Sequence, residues 1–134
     1  TIESDLVITT FRKTEEIHKQ INLLHKKIQE KKGYLTITEG INEITLITEG
    51  KFSKSIKQLI DQPPKNCQKD IASIGIKFLD QFNQTPGILH SILQKISAQN
   101  INISEITSTY TEFIIYVEFK NAKLTAETLL NCLK

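Results

Sequence analysis

Two periods alternate along this chain. Residues 6–11 are apolar and β-branched, with Leu6 and Ile8 on one face and Val7, Thr9 and Phe11 on the other, which predicts a strand. From Thr14 the period lengthens. Ile17, Ile21, Leu24 and Ile28 fall on one side of a helix, while Glu15, Glu16, Lys19, Lys26, Lys27 and Glu30 occupy the remaining arc. This helix is expected over residues 13–32, with Thr14 as N-cap because a hydroxyl accepts an orphan N–H, and Gly33 as C-cap because glycine takes the left-handed conformation. Leu35 and Ile37 mark a strand, Gly40-Ile41-Asn42 a turn, and Ile44, Leu46 and Ile47 another strand closed by Gly50. Phe52, Ile56, Leu59 and Ile60 then return to helical spacing.

Residues 61–66, with Pro63-Pro64 at their centre, predict a stiff extended connector. Beyond it the same order begins again. Ala72, Ile74, Ile76 and Phe78 alternate as in a strand with one buried face, and Asp80, Gln81, Asn83, Gln84 and Thr85 lead into Pro86-Gly87. Proline suits a helix's first turn, where its missing N–H would be unpaired in any case. Ile88, Leu89, Ile92, Leu93 and Ile96 form the buried side of that helix, and Asn100 ends it. Strands are expected at residues 101–106 and at the alternation Phe113, Ile115, Val117, Phe119, followed by a helix with the stripe Ala126, Leu129, Leu130, Leu133. The two halves are offset by about 67 positions, so the chain reads as two diverged copies of one β-α-β-β-α unit. A closing fourth strand is not legible after Leu133 and is doubtful between Ile60 and Ile71.

The strand, polar loop, Thr85-Pro86-Gly87, helix and the run of residues 100–109 (NINISEITST) resemble an ACT domain. In particular they are similar to the paired ACT domains that form the regulatory part of aspartokinases. The resemblance covers residues 71–133 well. It implies an α+β fold of two ferredoxin-like βαββαβ domains with helices on one face of an antiparallel sheet, at residues 1–66 and 67–134. It also implies a regulatory, non-catalytic role in feedback control by lysine or threonine, a homodimer, and a kinase catalytic domain as partner. By the same resemblance Phe82, Asn83, Gln84, Thr85, Gly87, Ile88 and Leu89 line one side of an effector site, with Asn102, Ile103 and Ser104 opposite and Ser108 and Thr109 where a partner domain makes contact. One departure matters. Many lysine-sensitive relatives carry an acid where this chain has Ser104, so the ammonium partner falls to a backbone carbonyl, to Glu105 after a shift, or to Asp80.

A physical reason supports that corner: free N–H groups at a helix start carry partial positive charge and receive a carboxylate. The first copy has Arg12-Lys13-Thr14 in place of Thr85-Pro86-Gly87, so its loop is expected to serve packing or dimerisation. The alternative from another class is a stand-alone dimerisation module without ligand; a regulatory pair of another amino-acid enzyme is a third reading.

Composition removes other classes. Seventeen basic and fifteen acidic residues among 134 leave a net charge of +2, which offers no electrostatic case for nucleic acid or an anionic membrane. Tyr110, Phe113 and Tyr116 do not match the aromatic pattern of RNA-reading sheets. Cys67 and Cys132 form no disulfide or metal pattern, which fits a reducing cytoplasm, and no run approaches the roughly 18 apolar residues of a membrane span. His18 and His25 stand two turns apart, too far for one metal, and read as surface histidines; His90 lies beside the proposed site. No phosphate loop, nucleophile elbow or HExxH occurs, so neither cofactor nor catalysis is expected. The absence of Met and the abrupt ends suggest a piece of a longer protein.

Overall fold

A computed structural model of the chain describes residues 2–77, 87–109 and 112–132. Among these residues there are six strands and four α-helices: β1 (Ile2–Arg12), α1 (Ile17–Glu30), β2 (Leu35–Glu39), β3 (Glu43–Glu49), α2 (Ser53–Leu59), β4 (Asn66–Lys77), α3 (Ile88–Ala98), β5 (Ile103–Ser108), β6 (Glu112–Glu118) and α4 (Ala122–Cys132). The fold is α+β. Its strand ladders β1–β3, β2–β3, β4–β6 and β5–β6 all run antiparallel.

The chain divides into two compact units, one spanning Asp5–Asp70 and the other joining Thr1–Ser4 to Ile71–Lys134. In the first, the strand order is β2-β3-β1-β4, and only residues 66–70 of β4 belong to it. In the second, the order is β5-β6-β4-β1, with residues 2–4 as the portion of β1. The closing strands are thus the opening residues of β4 and of β1. The first strand starts at Ile2, well before the expected Leu6, and its first residues belong to the unit that contains Ile71–Lys134. Periodicity could not reveal this. Ile2-Glu3-Ser4-Asp5 and Asn66-Cys67-Gln68-Lys69-Asp70 carry little apolar alternation, and both stretches end on a left-handed aspartate, Asp5 at φ 57° and Asp70 at φ 54°.

Each unit buries its own core between helices and strands. In Asp5–Asp70, the α1 stripe Ile17, Ile21, Leu24 and Ile28 meets Phe11, Ile44, Leu46, Phe52, Ile56 and Ile60. Each such side chain contributes about 1.5–3 kcal/mol relative to exposure. In the other unit Ala72, Ile74, Ile92, Ile96, Ile101, Phe113, Ile115, Val117, Ala122 and Leu129 do the same. The expected stripe on the last helix is corrected. Leu130 is 64% exposed, and the buried line is Ala122, Thr125, Thr128 and Leu129. The two threonines enter the core because their hydroxyls donate to the carbonyls of Asn121 and Leu124 at 2.7 and 2.8 Å, four residues back. Phe119, expected to end the alternation of β6, instead opens a 3₁₀ turn and is 58% exposed. Phe78 and Leu133 lie outside the described residues.

Helix α1 is shorter than its polar flanks predict. Its N-cap is Glu16, and the Thr14 hydroxyl donates instead to Gln62 Oε1 at 2.9 Å. At the other end the left-handed residue is Lys32 at φ 53°, and Gly33 follows it, its N–H donating to the Ile28 carbonyl at 2.9 Å. Glycine is needed at 33 for space. A Cβ there would collide with the Phe52 ring and lie 2.9 Å from Ile28 Cγ2.

Candidate functional site

The corner singled out by the resemblance lies in the unit containing Ile71–Lys134. β4 leaves its ladder at Lys77, and the chain re-enters the described structure at Gly87, the N-cap of α3, in the left-handed region at φ 82°. Glycine takes that angle without strain, and a side chain there would meet nothing within 4 Å among the described residues. Ile88 is half-buried against the core, while Leu89 is 40% exposed and His90 exposed. Phe82, Asn83, Gln84 and Thr85, with Asp80, lie outside the described residues.

The ladder register decides which of the remaining candidates meet. Ser108 pairs with Phe113, which pairs with Ile76; Ile103 pairs with Val117, which pairs with Ala72. Ser108 therefore stands on the rung where β4 is about to leave, whereas Ile103 stands five residues back, about 17 Å away at strand rise. The helix gives the same answer. α3 has 11 residues, so its start is about 16 Å from its end. That end, closed by Asn100 at φ 61°, lies just before β5. Asn102, Ile103 and Ser104 thus gather at the end of α3, and Ser108 and Thr109 at the exit of β4.

At that exit the residues are polar and open. Ser108 and Thr109 are exposed, and Thr109 shapes the turn into β6: its N–H donates to the Glu112 carbonyl at 2.8 Å, and its hydroxyl accepts from the Glu112 N–H at 3.2 Å. Lys77 and Glu112 are directly opposed across the ladder and line a cleft of about 400 Å³ with Gly75, Ile76 and Ile114. Among the described residues neither charge is in an ion pair. Both lie on the face of the sheet opposite α3, because Ile74, Ile76, Phe113 and Ile115 are the positions that pack with Ile92 and Ile96. The sequence could have offered Lys77 and Glu112 only through a register that it does not display.

Ser104 has a different setting. It is the extra residue of a β-bulge between Ile103 and Glu105, and its hydroxyl is buried with no hydrogen-bond partner among the described residues. Glu105 lies opposite Tyr116.

The equivalent corner of the unit Asp5–Asp70 is occupied by its own side chains. Gln62 Nε2 donates to the Arg12 carbonyl at 2.8 Å, Gln62 Oε1 accepts from Thr14, and Gln20 Nε2 donates to Asp61 at 2.9 Å. The Lys13 N–H donates to the Asn42 carbonyl at 2.9 Å, and Lys13 Nζ lies 2.7 Å from Glu39, which also meets His18 Nε2 at 2.8 Å. The hydrogen bonds from Lys13 and then His18 hold the Glu39 carboxyl below its ordinary value of 4.5. A carboxyl lowered in the folded state adds stability that is present above its unfolded value and is lost as pH falls through the folded one. Glu39→Gln removes that contribution. Urea midpoints of parent and variant are therefore expected to differ at pH 7 and to converge on acidification below 4.5; midpoints that stay parallel would refute the assignment.

Among the described residues no helix is long and apolar enough to cross a membrane, and no group of three or more His, Cys, Asp or Glu residues could hold a metal ion. No family model matches the sequence, and no curated protein matches it either. The structure does have relatives. It is similar to the aspartate kinase of Clostridium acetobutylicum, an allosteric enzyme, with a TM-score of 0.79 at 14% identity over 99% of this chain and 34% of that one. It is similar to the ligand-free regulatory subunit of aspartate kinase from Thermus thermophilus, with a TM-score of 0.74 at 12% identity over 100% of this chain and 96% of the other. Escherichia coli aspartokinase III in complex with lysine and aspartate, in its T-state, gives 0.68 at 10% identity over 99% and 32%. The chain spans about a third of the length of the two enzymes and nearly all of the Thermus subunit. It has the fold of the regulatory part of aspartate kinases.

Proposed function

We propose that this chain is the regulatory part of an aspartate kinase, built as two ACT domains at about residues 1–66 and 67–134, and that lysine or threonine binds to it as a feedback effector. It catalyses nothing itself. The effector sits at the start of α3, with its carboxylate on the N–H groups there and its ammonium on a backbone carbonyl, Glu105 or Asp80. By the resemblance Phe82, Asn83, Gln84 and Thr85 belong to the same site, together with Gly87, Ile88 and Leu89 and with Ser108 and Thr109. Asn102, Ile103 and Ser104 serve the same effector from a second copy of the chain, because one small molecule cannot span the roughly 16 Å of α3. The working form is a homodimer in the cytoplasm, joined to or associated with a kinase catalytic domain. Effector affinity that differs between two arrangements of the pair shifts the kinase towards its inhibited state.

The observation that carries this reading is the glycine-capped start of α3, uncovered among the described residues, in the same unit as the exposed Ser108, whose rung with Phe113 and Ile76 belongs to the sheet face that carries α3. Thermal unfolding with each of the twenty amino acids tests it. At a hundred times its dissociation constant the effector stabilises the fold by about 2.7 kcal/mol. No response to any amino acid would leave the ligand-free dimerisation module as the better account.

A further inference from the structure

A more apolar opening lies elsewhere, in the unit Asp5–Asp70. A cavity of about 360 Å³ lies between β1, α2 and the opening residues of β4. Its floor is Val7 and Phe11 on β1 with Ile56 and Ile60 around α2, each no more than 6% exposed, and Pro63 and Pro64 border it. A volume of this size with an apolar floor is what small-molecule sites offer. Two cations stand at its rim, Lys57 and Lys69, both exposed and neither in an ion pair among the described residues. The acid beside them, Asp61, already accepts the Gln20 amide. The opening therefore combines an apolar interior with uncommitted positive charge.

We propose that this cavity is a second ligand site, distinct from the effector corner, and that it takes a small carboxylate with an unbranched apolar tail. The tail lies on Val7, Phe11, Ile56 and Ile60, and the carboxylate meets Lys57 and Lys69. The connector that borders the cavity also holds the β1–α1 turn, through Gln62 to Arg12 and Thr14 and through Asp61 to Gln20. A ligand here is therefore felt at that turn.

Cys67, exposed and on the cavity wall, gives a readout independent of amino-acid binding. In the full chain carrying Cys132→Ser, alkylation of Cys67 by the neutral reagent iodoacetamide is followed by mass spectrometry with butanoate, hexanoate or octanoate present. Each added methylene is expected to lower the concentration for half-protection about fourfold, so about fifteenfold from butanoate to hexanoate. Substituting both rim lysines by glutamine (K57Q with K69Q), two exposed changes that spare the core, is expected to raise that concentration about fivefold. An unchanged alkylation rate at millimolar octanoate overturns the proposal, as does equal protection by octylamine, whose charge is opposite. Lysine and threonine are expected to leave Cys67 reactivity unchanged, so failure here and failure of the effector reading are told apart.

Discussion

Phe52→Ala is expected to cost about 3–5 kcal/mol, a large part of the 5–15 kcal/mol that holds a domain of this size together. Phe52 is 2% exposed and belongs to the core of the unit Asp5–Asp70, and its ring fills the space above Gly33. Truncation removes the ring's contacts and leaves a cavity beside Ile28. The reciprocal change sharpens the test. Gly33→Ala alone pushes a methyl into the ring and is expected to cost about 1–3 kcal/mol, yet in the Phe52→Ala background the methyl enters vacated space and the cost falls below that of the single variant. Urea unfolding of the four proteins measures the coupling. Strict additivity would mean that glycine at 33 answers to the backbone and not to the ring.

Phe113→Ala is the counterpart in the other unit, also expected to cost about 3–5 kcal/mol. Phe113 is 1% exposed on the central strand β6, paired with Ile76 on one side and Ser108 on the other. Its loss lowers the urea midpoint by roughly 2 M at a slope near 2 kcal/mol per M, with the slope itself unchanged. Phe113 shares its core with Ile92 and Ile96 of α3, so the variant is expected to lose the stabilisation by lysine or threonine even where it remains folded. A destabilised variant that still gains the full effector shift would separate the site from this core.

Which of the candidate residues meet was not legible in the sequence. Gly87, expected near the start of a helix, is its N-cap, and its left-handed backbone explains why glycine stands there. Ser108 and Thr109 come out at the exit of β4, beside Lys77 and Glu112, which no periodicity singles out. Asn102, Ile103 and Ser104, adjacent to them in sequence, come out at the far end of the same strand. The bulge at Ser104 has no local signature either, since it appears only when β5 is laid against β6.

The order of strands and helices, the α1 stripe from Ile17 to Ile28 and the end of α3 at Asn100 were determined by the sequence alone. Each depends on contacts within a few residues: a repeat of side chains along one element, or one residue's tolerance of a left-handed angle. Only the tertiary structure decided that residues 66–70 and 2–4 are closing strands, that Gly33 is small for the sake of Phe52, and that Lys77 faces Glu112. These depend on pairings between residues distant in sequence. Such pairings are selected by the burial of whole faces and by ladder register, and no single stretch of chain carries them.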